Sequence, residues 1–217
     1  GNITITATAT GICLVEGTKI LLANYTYKNI EDIDYSDLLL VWNYETGKFS
    51  KEYPIWIEKK SIASEYQLTT FEDHTTLKTI GYHGVFNKDL NIFVSVTDKT
   101  NYHVGTTILK VDATSKIPTF YETKVKSIKT IYEKVNYYHV VSTRYYNIIS
   151  DNVLTTDGTT MLSNLYGFND NLTWTDKRSN SLTDLYTLND LNNILPDYMF
   201  YGLRANEAKN LIKYGYL

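Results

Sequence analysis

Short segments of alternating or β-branched residues, separated by turn residues, follow one another through much of this chain. In the first half, the candidate strands are residues 19–22, 38–42, 55–58, 66–70 and 77–80. Turn-forming residues occupy positions 43–47 and 72–75 between them. Many short strands at this spacing predict an all-β barrel or sandwich, because alternating β and α units would need longer helical segments between the strands.

The pattern of the first half recurs in the second half. Residues 54–62, 65–70 and 77–80 give an apolar strand, an alternating strand and a third strand, and residues 123–131, 135–142 and 145–149 repeat that order. The repeat predicts two related β subdomains around a pseudo-twofold axis. Chance alternation in a β-rich chain is the alternative explanation.

The two ends of the chain differ from its middle. Residues 3–10 alternate apolar and hydroxyl side chains, as a strand does, and we expect residues 1–12 to be a flank from a longer protein. Residues 165–217 carry leucines at helical spacing followed by Pro196, and a second helix is predicted at 203–213. The leucines are Leu182, Leu185, Leu188, Leu191 and Leu195. The predicted domains are therefore 1–12, 13–164 and 165–217.

Charge and hydropathy exclude two classes of partner. The 21 Lys and Arg residues against 24 Asp and Glu give a net charge of -3, so there is no basic surface for a nucleic acid backbone. No apolar run approaches the roughly 20 residues of a membrane span, and no signal peptide opens the chain. The sequence therefore predicts no nucleic acid or membrane partner, and it carries no address for a cellular location.

Cys13 is the one cysteine, so an internal disulfide is excluded. By composition it could be a free thiol, a packed core residue, an intermolecular partner or a nucleophile. Its surroundings are more informative: residues 11–20 read GICLVEGTKI, and residues 28–33 read KNIEDI. This string resembles the opening block of Hedgehog/intein (Hint) domains, in which a cysteine begins the module and a Gly-Thr pair leads into a strand.

Three further segments are similar to blocks of that family. His83 lies in residues 77–87, LKTIGYHGVFN; residues 144–149 read RYYNII; and residues 157–164 read DGTTMLSN. Together the similarity covers residues 13–164. It implies an all-β Hint-type horseshoe with pseudo-twofold β subdomains, and the remaining chain adds a mainly helical C-terminal flank.

The resemblance implies self-cleavage. Cys13 would attack the carbonyl carbon of Ile12 and convert the peptide bond into a thioester, which water or another nucleophile opens in a single turnover. His83 would donate a hydrogen bond or proton to the departing nitrogen. Thr79 is a candidate assistant, although Ile80 occupies the position where the family has threonine. The substrate would be the flanking polypeptide of the same chain, and neither cofactor nor metal is implied.

At the other end, the resemblance implies that Asn164 cyclises and releases Leu165. Ser163 replaces the histidine that precedes this asparagine in inteins, and a hydroxyl is a poor proton shuttle. We therefore expect slow or absent cleavage there. Because Leu165 stands where splicing needs Cys, Ser or Thr, standard splicing should fail. The β-branched Ile12 should also slow attack by Cys13.

Other residues have simpler interpretations. His74, His103 and His139 lack metal-ligand spacing, so we interpret His139 as a packing residue of a strand and the other two as loop residues. The tyrosine pairs at 137/138 and 145/146 fit strand residues facing both sides of a sheet, or alternatively a carbohydrate-binding surface.

Two alternative functions remain open. One is an inactive Hint fold serving as a structural module of a phage tail, virion or bacterial surface protein. The other is a β-rich adhesin whose intein-like string is coincidental. Family analogy suggests a virion or extracellular surface as the setting, with other subunits of a larger assembly as partners.

Overall fold

The computed structural model describes residues 12–43, 47–81, 83–142 and 147–157, and in this part the chain is built from antiparallel strands with one short 3₁₀-helix at Ile30–Asp32. The first strands are β1 (Ile12–Val15), β2 (Lys19–Leu21), β3 (Tyr27–Asn29), β4 (Leu39–Asn43), β5 (Lys48–Glu52), β6 (Pro54–Ala63), β7 (Tyr66–Phe71) and β8 (Thr76–Gly81). The remaining strands are β9 (Gly84–Asn87), β10 (Ile92–Ser95), β11 (Thr107–Asp112), β12 (Thr119–Ile131), β13 (Val135–Ser142), β14 (Asn147–Ser150) and β15 (Val153–Thr156).

Among the described residues, thirteen of these strands form one sheet and β4 pairs with β5. The strand order is β3-β2-β14-β15-β9-β11-β12-β7-β8-β1-β13-β6, with β10 added beside β9. Strand β12 joins the two parts of the sheet, because one end pairs with β11 and the other end pairs with β7. Its length of 13 residues makes both pairings available to one strand.

The pairing supports the predicted internal symmetry. The consecutive strands β6 and β7 of the first half correspond to β12 and β13 of the second half. Strand β7 pairs with β12, and β13 pairs with β6, so exchanging β6 with β12 and β7 with β13 maps one pairing onto the other. The predicted all-β architecture is thus confirmed, and the exchange agrees with two related β subdomains.

Strand β1 is buried on both faces, because the side chains of Cys13, Leu14 and Val15 are apolar and buried. Leu14 belongs to the main hydrophobic core, whereas Cys13 and Val15 belong to a smaller cluster on the opposite face. The strand ends at Val15, and Gly17 follows two residues later with φ +88°, a left-handed conformation that glycine adopts at little cost. The first predicted motif therefore begins with a strand held between two cores.

Asn147 attaches the separate hairpin β4–β5 to the main sheet. Its side chain is fully buried, accepts a hydrogen bond from the Trp42 backbone N–H at 2.7 Å and donates one to the Trp42 carbonyl at 2.9 Å. An amide can make both bonds because it carries a donor and an acceptor.

All five strands expected in the first half are present, with shifted ends. Residues 55–58 are part of the longer strand β6, and the turn at 72–75 closes the β7–β8 hairpin through a 2.9 Å bond from Phe71 N–H to the Thr75 carbonyl. The strand expected at 3–10 and the helices expected within 165–217 lie outside the described residues. The domain limits 1–12, 13–164 and 165–217 stay predictions.

Candidate functional site

Cys13 lies on an interior strand of the sheet, between β8 and β13. It is paired with Ile80 on β8, and the register of β1 against β13 continues from Leu14↔Tyr138 to bring Cys13 opposite His139. The Cys13 Sγ atom lies 2.9 Å from His139 Nε2, and both side chains are buried. The thiol therefore has an imidazole as its direct polar neighbour.

His139 was interpreted from the sequence as a packing residue. Its burial agrees with that interpretation, but its contact with Cys13 was missed. Burial lowers the pKa of His139 to about 4, so the ring is neutral at neutral pH, and the same shift makes it a weaker base than an exposed imidazole. The edge of the ring also meets Tyr137 in a T-shaped contact with centroids 5.6 Å apart. The sequence signal was a histidine on an apolar strand, but local periodicity could not pair it with a cysteine 126 residues away.

His83 lies where the chain leaves β8 for β9. Gly81, the partner of Ile12 in the sheet, has φ +64°, and this left-handed residue ends the strand two positions before His83. His83 is buried, and neither ring nitrogen makes a hydrogen bond to the described residues. Burial, and then the nearby His139, lower its pKa to about 3. His83 thus sits near His139 as a second neutral imidazole.

Thr79 lies on the other face of the sheet from Cys13. It pairs with Leu14, whose side chain enters the main core, and neighbouring positions of a strand face opposite sides. Its hydroxyl is buried without a hydrogen-bond partner among the described residues. The register therefore does not bring Thr79 beside the thiol.

The end of β15 reaches the same region. Thr155 pairs with Val85, and the Gly84 N–H donates to Thr156 Oγ1 at 3.2 Å, so continuing this antiparallel register brings Asp157 opposite His83. Asp157 is fully buried. The beginning of β1 and the residue after β15 therefore both approach the two histidines.

Several expected site features lie outside the described residues. These include Ser163, Asn164, Leu165 and the tyrosine pair at 145/146. Within the described ranges, Tyr138 is buried in the main core with its hydroxyl donating to Glu16, while Tyr137 joins the Cys13 cluster. The two tyrosines face opposite sides of β13, as predicted, and Tyr138 is not part of an open binding surface.

The described part of the chain contains no group of three or more His, Cys, Asp or Glu side chains positioned for a metal ion. The same residues include no helix of the length and apolarity needed to cross a bilayer. His74 and His103 lie in exposed turns, as expected.

No protein-family model matches this chain, and no curated protein matches it either. Solved structures do match. The bacterial intein-like domain from Clostridium thermocellum has a TM-score of 0.54 at 21% identity, and the match covers 67% of this chain and 97% of that one.

Two inteins give the same result. The DnaX mini intein from Spirulina platensis has a TM-score of 0.56 at 15% identity, covering 67% of this chain and 99% of that one. A DnaB intein from Synechocystis has a TM-score of 0.57 at 11% identity, covering 67% and 98%. The chain has the Hint fold of inteins. At these identities the similarity concerns the Hint fold itself, and the chemistry must be argued from the residues of this chain.

Proposed function

We propose that this chain is an intein-like autoprocessing domain that cleaves the peptide bond between Ile12 and Cys13. The observation that supports this most directly is the 2.9 Å contact between Cys13 Sγ and His139 Nε2, because Cys13 supplies the nitrogen of the bond to be broken. A thiol becomes a strong nucleophile when it loses its proton. A neutral imidazole at hydrogen-bond distance can accept that proton.

The first step is an acyl shift. The Cys13 sulfur attacks the carbonyl carbon of Ile12, a C–S bond forms, and the C–N bond to Cys13 breaks. The thiol proton passes to His139 and finally to the Cys13 nitrogen, which becomes a free amine. The product is a thioester, which water hydrolyses or an external thiol intercepts, so the reaction ends after one turnover.

His83 is proposed to assist the leaving nitrogen. Ile12 is paired with Gly81, and His83 follows two residues later at the break between β8 and β9. A buried neutral imidazole with both ring nitrogens available can donate an N–H hydrogen bond to that nitrogen as its charge develops. Thr79, on the opposite face, is given no part in this step.

The C-terminal half of intein chemistry is proposed to be incomplete. Asn164 preceded by Ser163 remains a candidate for slow cyclisation, and Leu165 cannot accept an acyl group. The expected products of processing are therefore cleaved fragments and not ligated flanks. The substrate is the chain's own flanking polypeptide.

The test is intact-mass measurement of the 217-residue chain incubated with and without dithiothreitol. We expect separation of residues 1–12 from 13–217, accelerated by the thiol, and loss of this product in Cys13→Ala. Cys13→Ser should cleave more slowly because a hydroxyl is a weaker nucleophile than a thiol. An unchanged mass for the wild-type chain under all conditions contradicts the proposal and favours an inactive structural module.

A further inference from the structure

A cavity of about 390 Å³ opens on the surface of the sheet where three parts of the fold meet. Its volume lies in the range of small-molecule pockets, about 300–1,000 Å³. Strands β2 and β3 form one wall, the start of β8 and the residue before it form a second, and the β14–β15 turn forms a third. The described residues that line it are Lys19, Tyr27, Thr75, Thr76, Asp151 and Asn152. None of these belongs to the site around Cys13, so the cavity needs an explanation of its own.

The β14–β15 turn is held in a fixed conformation. Asp151 has φ +49° and Asn152 has φ +63°, a left-handed conformation in which Asp and Asn are enriched. Asp151 N–H donates to the Lys19 carbonyl at 2.8 Å, and Lys19 N–H donates to Asp151 Oδ1 at 2.9 Å. The Asn152 carbonyl accepts a bond from Val111 N–H at 2.7 Å. These bonds position the two polar side chains of the turn before any ligand arrives.

The cavity wall presents hydrogen-bond acceptors and donors side by side. A carboxylate can accept roughly four hydrogen bonds, and Lys19 N–H takes one of those that Asp151 offers. Tyr27 Oη donates to Asn152 Oδ1 at 2.6 Å, which fixes the orientation of the amide and of its two N–H donors. Thr76 is exposed, and its hydroxyl can both donate and accept. A ligand with several hydroxyl groups matches this set.

The charges around the cavity favour a neutral ligand. Burial raises the pKa of Asp151, although Lys110, Lys19 and Lys78 are near enough to offset part of that rise. Lys110 itself is paired with Asp73 at 2.8 Å. A cationic ligand would be repelled by these lysines, and an anionic ligand would be repelled by the Asp151 carboxylate in the wall.

Tyr27 supplies an aromatic surface beside these polar groups. It is 44% exposed on the edge strand β3, so a molecule in the cavity can reach its ring. The face of an aromatic ring is negative and attracts weakly positive C–H groups. A neutral molecule with hydroxyl groups around its rim and C–H groups on its faces is a sugar ring.

We infer that this cavity binds one sugar residue of a neutral carbohydrate, with hydroxyl groups bonded to Asp151 and Asn152 and a C–H face against Tyr27. Sugar binding here does not depend on cleavage at Cys13, because no residue is shared between the two sites.

The test is saturation-transfer NMR on the 217-residue chain. Glucose, galactose, mannose and N-acetylglucosamine are added separately at millimolar concentration, with arginine and inorganic phosphate as charged probes. We expect saturation to reach at least one of the sugars and neither charged probe. Titration of that sugar then gives its dissociation constant.

Two substitutions in different walls of the cavity locate the bound sugar. Asp151→Asn keeps a side chain suited to the left-handed turn but removes the charge, and loss of a charge-assisted hydrogen bond should weaken binding by about tenfold. Tyr27→Ala removes both the ring and its bond to Asn152, so it should weaken binding at least as much. Tyr132→Ala is the matched control, because Tyr132 is 81% exposed and lies between β12 and β13, outside the cavity.

The control Tyr132→Ala and the cleavage variant Cys13→Ala should both bind the sugar as the wild type does. Circular dichroism checks that each variant keeps its β-structure. Absence of saturation transfer to all four sugars overturns the inference, whether or not a charged probe binds. A sugar that binds Asp151→Asn and Tyr27→Ala as tightly as the wild type also overturns it, because that sugar lies elsewhere.

Discussion

Cys13 is buried, yet its thiol must lose a proton in order to react. The side chain is 1% exposed, so a solvent nucleophile or base does not reach it in the folded state. Any proton that leaves the thiol must move to a group packed against it, and His139 Nε2 at 2.9 Å is such a group. The first step is therefore expected to depend on internal residues, while the external thiol acts on the thioester that follows.

Glutamine substitution of the buried histidines tests this dependence. His139→Gln keeps a polar side chain of similar reach but cannot take the thiol proton, and loss of a general base typically lowers a rate by about 10²–10⁴-fold. We expect a fall in that range in the rate constant for release of residues 1–12 in dithiothreitol, and a decrease for His83→Gln as well. The measurement is fragment mass against time.

His74→Gln is the matched control, because His74 lies in an exposed turn. It should process at the wild-type rate. Circular dichroism should show that the slow variants retain their β-structure. A His139→Gln chain that processes as fast as His74→Gln would remove His139 from the mechanism.

At the level of strands, the local sequence pattern predicted where strands and turns lie, but it did not predict which strands pair. The apolar and alternating segments were recognisable because side chains alternate along a strand, and the hairpin turn at Asp73 and His74 followed from turn chemistry. Which distant strands become neighbours is not encoded in that periodicity. The sequence could therefore predict Cys13 and His83 from a family motif, but it left His139 as a packing residue.

Register explains the position of Thr79. A shift of one residue along a strand moves a side chain to the other face of the sheet. Thr79 precedes Ile80, which occupies the family's threonine position, and it therefore faces away from the thiol. Cys13 is instead paired with Ile80, so its neighbour on β8 is an apolar side chain.

A buried ion pair fastens β11 to the β7–β8 hairpin. Lys110 Nζ lies 2.8 Å from Asp73 Oδ2 and donates to Thr75 Oγ1 at 2.6 Å, while the lysine side chain is 1% exposed. Burial raises the pKa of Asp73, but the hydrogen bonds from Lys110 and Thr75 outweigh this effect and lower the pKa to about 2. The lysine is the more deeply buried partner, since the Asp73 side chain is 25% exposed.

This asymmetry predicts unequal effects of removing either charge. Asp73→Asn keeps the turn-forming oxygen but leaves a buried ammonium without its counter-ion, which should reduce the free energy of unfolding by about 3–5 kcal/mol. Lys110→Met should reduce it less, because the remaining carboxylate can be hydrated. The double variant should be more stable than Asp73→Asn alone. Urea unfolding measures all three, and equal losses in the two single variants would contradict this account.

Over the whole molecule, the sheet brings residues from both ends of the described span to one buried centre. Ile12 and Cys13 enter beside β8 and β13, and Asp157 leaves β15 beside His83. A site that is assembled from such distant segments exists only when the sheet is complete. Processing and global folding are therefore expected to be lost together.

The two buried histidines make that global stability depend on pH. Burial holds the pKa of His83 at about 3 and that of His139 at about 4, against about 6.5 for an unfolded chain. Below pH 6.5 the unfolded state therefore binds protons that the folded state excludes, and the free energy of unfolding decreases as the pH falls toward 4. At pH 5 each histidine should remove about 2 kcal/mol relative to pH 7.

Urea unfolding of the wild-type chain and of the double variant His83→Gln/His139→Gln, each at pH 7 and pH 5, measures this effect. The wild type should lose several kcal/mol between the two pH values, while the double variant should lose much less, because its remaining histidines are exposed. The exposed His74 and His103 remain in both proteins, so the difference between the two pH responses isolates the buried pair. Equal pH responses would mean that burial does not lower the pKa of the two imidazoles.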